Sequence, residues 1–388
     1  MDSDNNNNWF TGTGAPGGTP GARASAPSSG NRPGQKKRAS KGRGKPKRSG
    51  SAALAIVVAV IAVVIAAGAV GVFCLHTYSG EPQWVYIPRG SSADAIGDSI
   101  ESSLGSGERN RVMLFWRLLN AEPAKAAGAY LVSPGESELN IARRLRSGAQ
   151  TPVKVRFNNV RTMAELAEKV SAPLEYSAAD FLAAADSSLT AAGFSDSRTF
   201  PAAFLPDTYE AYWNESPERT IRTLLGYRNS FWNDERRAKA KALGLTPVQA
   251  ATLASIVEEE SAQRVEHGKI ARLYLNRLKT GMKLQADPTA KFAYGDFTLR
   301  RITRAVIDTP SPYNTYYVNG LPPGPIRIPA AATIDAVLNA PQHDALFMCA
   351  RTDGSGQHDF ERDYNRHREN ARRYHAWLNS RGIGTTKK

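Results

Sequence analysis

The sequence predicts an α+β protein in three parts: a single N-terminal transmembrane helix, a small α+β module, and a larger, mainly helical mixed domain. Three observations lead there. Ala52–Leu75 is an uncharged run, mostly Ala, Val and Ile, long enough as a helix to span a bilayer. Gln83–Val170 alternates short strand-like segments with helical patterns, the mark of a compact mixed module. From Ala178 onward apolar residues recur mainly at helical spacing.

Residues 1–50 hold ten basic and two acidic side chains and hardly any large apolar ones. Such a segment cannot offset its ordering entropy, so a disordered basic tail is expected. It carries +8 of the formal net charge of +14, so the overall charge is a weak argument for nucleic acid, and none is expected as a partner. The run Lys36–Arg48 reads as an RNA-binding stretch, an attractor of anionic lipid headgroups, or a topology signal; the apolar segment beside it favours the last. Cations stay on the cytoplasmic side. The tail is therefore expected inside, the helix at 51–76 in the plasma membrane, and everything after His76 outside. Cys74 and Cys349 suggest no disulfide framework.

In the module, Trp84–Ile87, Gly128–Val132 and Pro152–Phe157 read as strands. Ser92–Ser103, Arg109–Leu119, Ser137–Arg146 and Thr162–Val170 read as helices. Beyond it, Ala179–Ala192 is a predicted helix, Phe204–Tyr209 a turn with one acid, Asp207, and Ser216–Leu243 one long helical pattern closed by Gly244.

Thr246-Pro247-Val248-Gln249 is then a strong helix start. Threonine caps free amides, proline suits the first helical position, and glutamine reaches back to the cap. Leu253, Ile256 and Val257 fall on one face, and Glu260 lies about 20° from Leu253. Glu258 and Glu259 point away. A carboxyl on that face loses hydration, its pKa rises, and it stays protonated as a general acid. The alternative is a solvated acidic run.

Ile270–Leu278 forms a further helix stopped by Gly281. Met282–Pro329 is a loop region containing Leu284-Gln285-Ala286-Asp287-Pro288-Thr289, Ser311-Pro312-Tyr313-Asn314-Thr315-Tyr316 and Gly320-Leu321-Pro322-Pro323-Gly324-Pro325-Ile326. Tyrosine faces and amide side chains suit a sugar groove; a rigid proline-rich loop is the alternative. Ala330–Ala340 is a short helix, Ala345–Ala350 a strand, Gly354–Gly356 a turn before His358 and Phe360, and Arg362–Leu378 a closing helix. Phosphate-loop, zinc-pair and serine-elbow motifs are absent from the sequence. His358, Asp359, Glu361, Asp363 and His367 match no common metal site. No metal or organic cofactor is expected.

These motifs, in this order, resemble the YceG/MltG family of endolytic murein transglycosylases, over nearly everything after the apolar segment. The resemblance implies a LysM-like module at 82–156 and a transglycosylase catalytic domain at 157–388. It implies that Glu260, last acid of the Ser255-Ile256-Val257-Glu258-Glu259-Glu260 pattern, is catalytic. It places Gln285, Asp287, Tyr313, Asn314, Asp207 and His358 at motif positions as substrate-binding candidates. Two departures stand out: Phe157-Asn158-Asn159-Val160-Arg161 replaces a common Pro-Glu-Gly turn, and His367-Arg368 a common His-Asn. The implied reaction cleaves the β-1,4 bond from N-acetylmuramic acid to N-acetylglucosamine in nascent strands and leaves 1,6-anhydro ends. Peptidoglycan is then the substrate, and peptidoglycan synthases are candidate partners. A two-carboxylate hydrolase, with Asp287 or Asp207 as base, and a non-catalytic glycan-binding scaffold are the competing readings.

Overall fold

Side-chain caps written in the sequence start most of the helices. The computed structural model describes residues 50–299 and 302–381; the tail up to residue 49 and Lys387–Lys388 lie outside them. α1 (Gly50–Leu75) covers the apolar run, and the chain divides into two units within it, after Ile65. Its side chains from Ala53 to Gly68 are exposed. Among the described residues no single helix is long and apolar enough to cross a membrane.

The fold is mixed α+β, mainly helical, with small two-stranded sheets. β1 (Gln83–Ile87) pairs antiparallel with β2 (Gly128–Val132), Val85 opposite Tyr130. Between them run α2 (Ala93–Leu104) and α3 (Ser106–Leu118), and α4 (Glu138–Ser147) follows. Ser92 and Ser137 cap α2 and α4 by accepting from Ala95 N and Asn140 N, each cap worth roughly 1 kcal/mol. Ile87, Ile96, Ile100, Val112, Trp116 and Leu145 form their shared core, each contributing about 1.5–3 kcal/mol.

A second, larger core begins with β3 (Val153–Phe157), which pairs with β4 (Asp207–Ala211), Phe157 opposite Asp207. Val153, Val155 and Phe157 point into it and Lys154 and Arg156 out, as strand alternation requires. The expected bound at 156–157 falls inside this strand. α5 (Met163–Ser171), α6 (Ala178–Ala191), α7 (Pro217–Phe231), α8 (Asp234–Ala242), α9 (Pro247–Glu260), α10 (His267–Lys279), α11 (Asp287–Tyr294), α12 (Arg304–Ile307) and α13 (Ala331–Leu338) complete the helical body. β5 (Phe347–Ala350) and β6 (His358–Glu361) form a hairpin covered by α14 (Tyr364–Ser380).

The structure corrects three local expectations and adds a fourth placement, that of His358. Ser216–Leu243 is two helices: Trp232 turns into the core and the Asn233 side chain accepts from Arg236 N, starting α8. Asp207–Tyr209 lies in β4, because β3 supplies a pairing edge. The 282–329 loop holds α11 and α12, the first with Pro288 in its first turn. His358 sits on a strand, opposite Ala350.

Candidate active site

α9 is the central helix of the larger core. Thr246 Oγ1 accepts from Gln249 N at 3.2 Å, and Gln249 Oε1 accepts from Thr246 N at 2.9 Å, the reciprocal box that fixes its start. Every residue from Ala250 to Val257 is buried, against α10, α11 and α13 among others. The single apolar face expected here is therefore corrected: α9 is covered all round, as a core helix is. Its two ends emerge, the first turn at Gln249 and the last turn at the three glutamates.

They have separate environments. Glu258 Oε2 accepts from Ala330 N at 2.8 Å and Thr333 Oγ1 at 2.7 Å. Glu259 Oε1 accepts from Arg327 Nη1 at 2.6 Å and Arg161 Nη2 at 3.2 Å. Neither is the solvated acid of the alternative reading. Glu260 has no cation within ion-pair range among the described residues; its Oε1 accepts from Tyr274 Oη at 2.6 Å.

Glu260 forms one wall of a cleft of about 410 Å³. Glu260 is half-buried, with the cleft opening beside it. Protein nonetheless surrounds its carboxyl. Burial pushes its pKa up to about 7, the Tyr274 hydroxyl opposes that, the Asp287 charge adds to it, and the more distant Arg277 charge works against it. The partial negative charge at the C-terminal end of α9 acts in the same direction as burial. The carboxyl is thus balanced between acid and carboxylate near neutral pH, as a group that gives a proton and takes one back requires.

Tyr274 is 2 % exposed, and burial together with the Glu260 charge holds its hydroxyl well above the ordinary tyrosine range. It remains a donor at any working pH. Glu260 Oε1 is therefore always an acceptor, and the exchangeable proton of the acid form resides on Oε2.

Two loop motifs build the opposite side. Thr289 and Thr315 join their hydroxyls at 2.7 Å, Ala286 N donates to Thr315 Oγ1 at 3.0 Å, and Gln285 N donates to Thr315 O at 3.2 Å. That lacing carries Tyr316 to Asp287, whose Oδ1 accepts from Tyr316 Oη at 2.5 Å. Gln285 is exposed and held at φ +47°, a left-handed conformation that costs roughly 1 kcal/mol for a side chain of this kind. Gly324 seats the following loop, because a Cβ there would lie 1.9 Å from Arg198 O. On the far side, the Glu266 carboxylate accepts from His358 N at 2.9 Å and meets His358 Nδ1 at 3.1 Å.

The cleft therefore brings together Glu260, Gln285, Asp287 and His358. The other three candidates lie outside its lining. Asn314 is fully buried; its amide donates to Ile307 O and Thr309 O at 2.8 Å and accepts from Tyr316 N at 3.0 Å, so it holds the loop. Tyr313 packs on Phe292, ring centres 4.7 Å apart. Asp207 is exposed on β4 and accepts from Thr208 N. Sequence reasoning missed Tyr274, Arg277, Tyr316 and the hairpin wall of Phe347 and Cys349. Tyr274 and Arg277 had a signal, since both lie in the helix read at 270–278. A larger hollow of about 1000 Å³ beside Arg272 and Lys279 is lined by no carboxyl or histidine, and so offers no acid.

The sequence pattern of the YceG-like family matches residues 85–373. The chain belongs to this family. It is 33% identical over 158 residues to a Bacillus subtilis protein named endolytic murein transglycosylase, covering 40% of this chain and 41% of the relative. A Streptococcus pneumoniae protein of the same name is 33% identical over 137 residues, covering 33% of this chain and 25% of the relative. The matched stretches thus span less than half of either relative. A crystal structure of a YceG-like protein from Listeria monocytogenes superposes with a TM-score of 0.49 at 24% identity, over 74% of this chain and 98% of that one. Within this YceG-like chain the matched span contains the whole cleft, from Glu260 to His367.

Proposed function

We propose that this YceG-like protein is a membrane-anchored endolytic peptidoglycan transglycosylase. One observation carries the reading: a carboxyl balanced near pH 7, without a cationic partner, in the wall of a cleft whose other polar groups suit hydroxyl and acetamido oxygens. Glu260 Oε2 protonates the glycosidic oxygen of the N-acetylmuramic acid to N-acetylglucosamine bond. The resulting carboxylate is stabilised by the Tyr274 hydroxyl at Oε1. It then takes the proton of the muramyl C6 hydroxyl as that oxygen attacks C1 and closes the 1,6-anhydro ring. One carboxyl serves both steps because the nucleophile is intramolecular, at high effective concentration. Gln285 and the Asp287–Tyr316 pair are suited to bind the sugars opposite it, and His358, held through Nδ1, keeps Nε2 free for them.

The anchor belongs to the same proposal. Described apolar side chains run unbroken in α1 only along Ala53–Gly68, too short a stretch by itself to cross, but that stretch lies within the uncharged sequence run Ala52–Leu75, which is long enough. Seated in the plasma membrane with the basic tail inside, it holds the catalytic part outside, near newly made strands, whose length the cuts would limit. The β1–α4 part is then a LysM-like positioning module, and peptidoglycan synthases are the candidate partners.

The test is mass spectrometry of glycan strands incubated with the detergent-solubilised full chain. Products ending in 1,6-anhydro-N-acetylmuramic acid are expected. Reducing muramic ends would replace this mechanism by a hydrolase with Asp287 as base, and intact strands would leave a binding protein.

A further inference from the structure

The chain that leaves α1 is fixed at once. α1 ends at Leu75, and His76 Nδ1 already meets Glu138 Oε1 at the start of α4. Thr77 bridges antiparallel to Ser137. Tyr78 N donates to Glu136 O and Gly135 N donates to Tyr78 O, both at 2.8 Å, and Tyr78 is buried. Glu138 is fully buried, and the oxygen that His76 meets also accepts from Arg111 Nε of α3 at 3.0 Å. Residues 76–78 reach at most about 10 Å when extended. The side of the β1–α4 part that carries Arg111 therefore lies close to the end of α1, with no slack chain between.

α3 shows apolar side chains on that side. At about 100° per residue, Leu118 lies about 20° and Leu114 about 60° from Arg111 around the helix. Leu118 is 71 % exposed and Leu114 44 %. Outside α1 the described residues include four exposed large aliphatic side chains, Leu114, Leu118, Leu182 and Val265. Two of the four thus stand one turn apart beside the point where the chain leaves α1. The opposite face of α3, with Val112, Met113, Phe115 and Trp116, is already committed to the core. Arg117 flanks the pair, exposed and without a carboxylate partner among the described residues.

We propose that this face of α3 rests on the lipid surface that holds α1. Leu114 and Leu118 enter the boundary between headgroups and acyl chains, and Arg117 reaches an anionic headgroup. The inference rests on the membrane-anchor reading and adds a second point of contact to it. A helix apolar on both faces suits a layer between a protein core and lipid. The consequence reaches the cleft, because the β1–α4 part is tied to the larger core. Gln150 Nε2 donates to Asn214 Oδ1 at 2.9 Å, Asn214 Nδ2 to Ala127 O at 2.9 Å, and Arg89 N to Glu175 Oε1 at 3.0 Å. Two contacts with the bilayer hold the catalytic part in one orientation, where a lone anchor would let it swivel.

Spin labels on the full chain, at one chain per lipid nanodisc and with Cys74 and Cys349 replaced by serine, test the contact. Labels go on Leu118→Cys, on Ala59→Cys within α1, and on Asp186→Cys, exposed on α6. The ratio of collisions with oxygen to collisions with a nickel chelate rises in lipid, and it should be several-fold higher at 59 and 118 than at 186. Adding Leu114→Glu should return 118 to the value at 186 while 59 keeps its own; Leu114 is exposed, so that variant leaves the core packing intact. Arg117→Glu should lower the ratio at 118 more in anionic discs than in zwitterionic ones, and an equal fall in both would remove Arg117 from the contact. A label at 118 as open to nickel as the one at 186, with 59 in lipid, would overturn the contact and leave the anchor standing. A label at 118 closed to both reagents would overturn it in favour of a protein cover. A label at 59 in water would sink the anchor reading, and the contact with it.

Discussion

Glu259 and Glu260 are neighbours at the end of one helix, yet the regions they face are opposites. Glu259 enters a cluster with Arg327 and Arg161, closed by Arg327 Nη2 donating to Asn159 Oδ1 at 2.5 Å. Glu260 enters a cleft with a hydroxyl for its one close partner and Asp287 as a nearby like charge. The first carboxylate is paired with two guanidiniums and ties the 157–161 stretch to the body. The second is free to change its charge. What separates structure from chemistry here is therefore the counter-charge, since residue type and helix are shared.

Exchanging the acids should break the comparison most sharply. Glu260→Gln is expected to lose cleavage by ~10³-fold or more while strand binding persists, read by product mass spectrometry and a binding assay. Glu259→Gln should keep the chemistry but lose about 3 kcal/mol of stability, because Arg327 is left short of a buried partner; urea denaturation measures it. Equal loss of activity in two folded variants would erase the distinction.

The pH dependence sharpens it. Cleavage needs the acid form of Glu260, so the rate should fall as pH rises through about 7. Tyr274→Phe removes a hydrogen bond that favours the carboxylate. The pKa should then rise, moving the alkaline limb up by about one pH unit and lowering kcat about tenfold. An unmoved limb would make Tyr274 a packing residue only.

The smaller effects are on stability. The folded-state pKa of Glu260 lies above its ordinary 4.5, so the associated stability is complete below pH 4.5 and is lost as pH rises through 7. Glu260→Gln cannot ionise and should be more stable than wild type by about 2 kcal/mol at pH 8, allowing for solvent in the cleft, and nearly equal at pH 4. Thermal melts at the two pH values check the sign. Smallest of all, Thr315→Val should cost roughly 1–2 kcal/mol by unlacing the two loop motifs, with a rise in KM as Gln285 loses its place.

Much of this was legible in the chain. The caps at Ser92, Ser137 and Thr246 act within three residues, so local spacing reveals them. The strand β3 shows its alternation, and the S-I-V-E-E-E segment marks Glu260 by its place. Asn314 and Tyr313 lie outside the cleft lining, which the motif could not show: a polar or aromatic residue in a motif reads alike whether it faces a ligand or holds the loop that does. Helical periodicity across 216–243 could not reveal the break at Trp232, because the core that receives that ring comes from distant segments.

The sequence by itself determined where helices start, which segments alternate as strands, and which glutamate was the candidate acid, since all of these are short-range matters of cap, period and spacing. Only the tertiary structure decided that the middle of α9 is enclosed on every side, and that Arg327 answers Glu259 while Tyr274 answers Glu260. Charge state is set by groups far off in the chain that folding brings within a few ångströms, and no local pattern records which of them arrive.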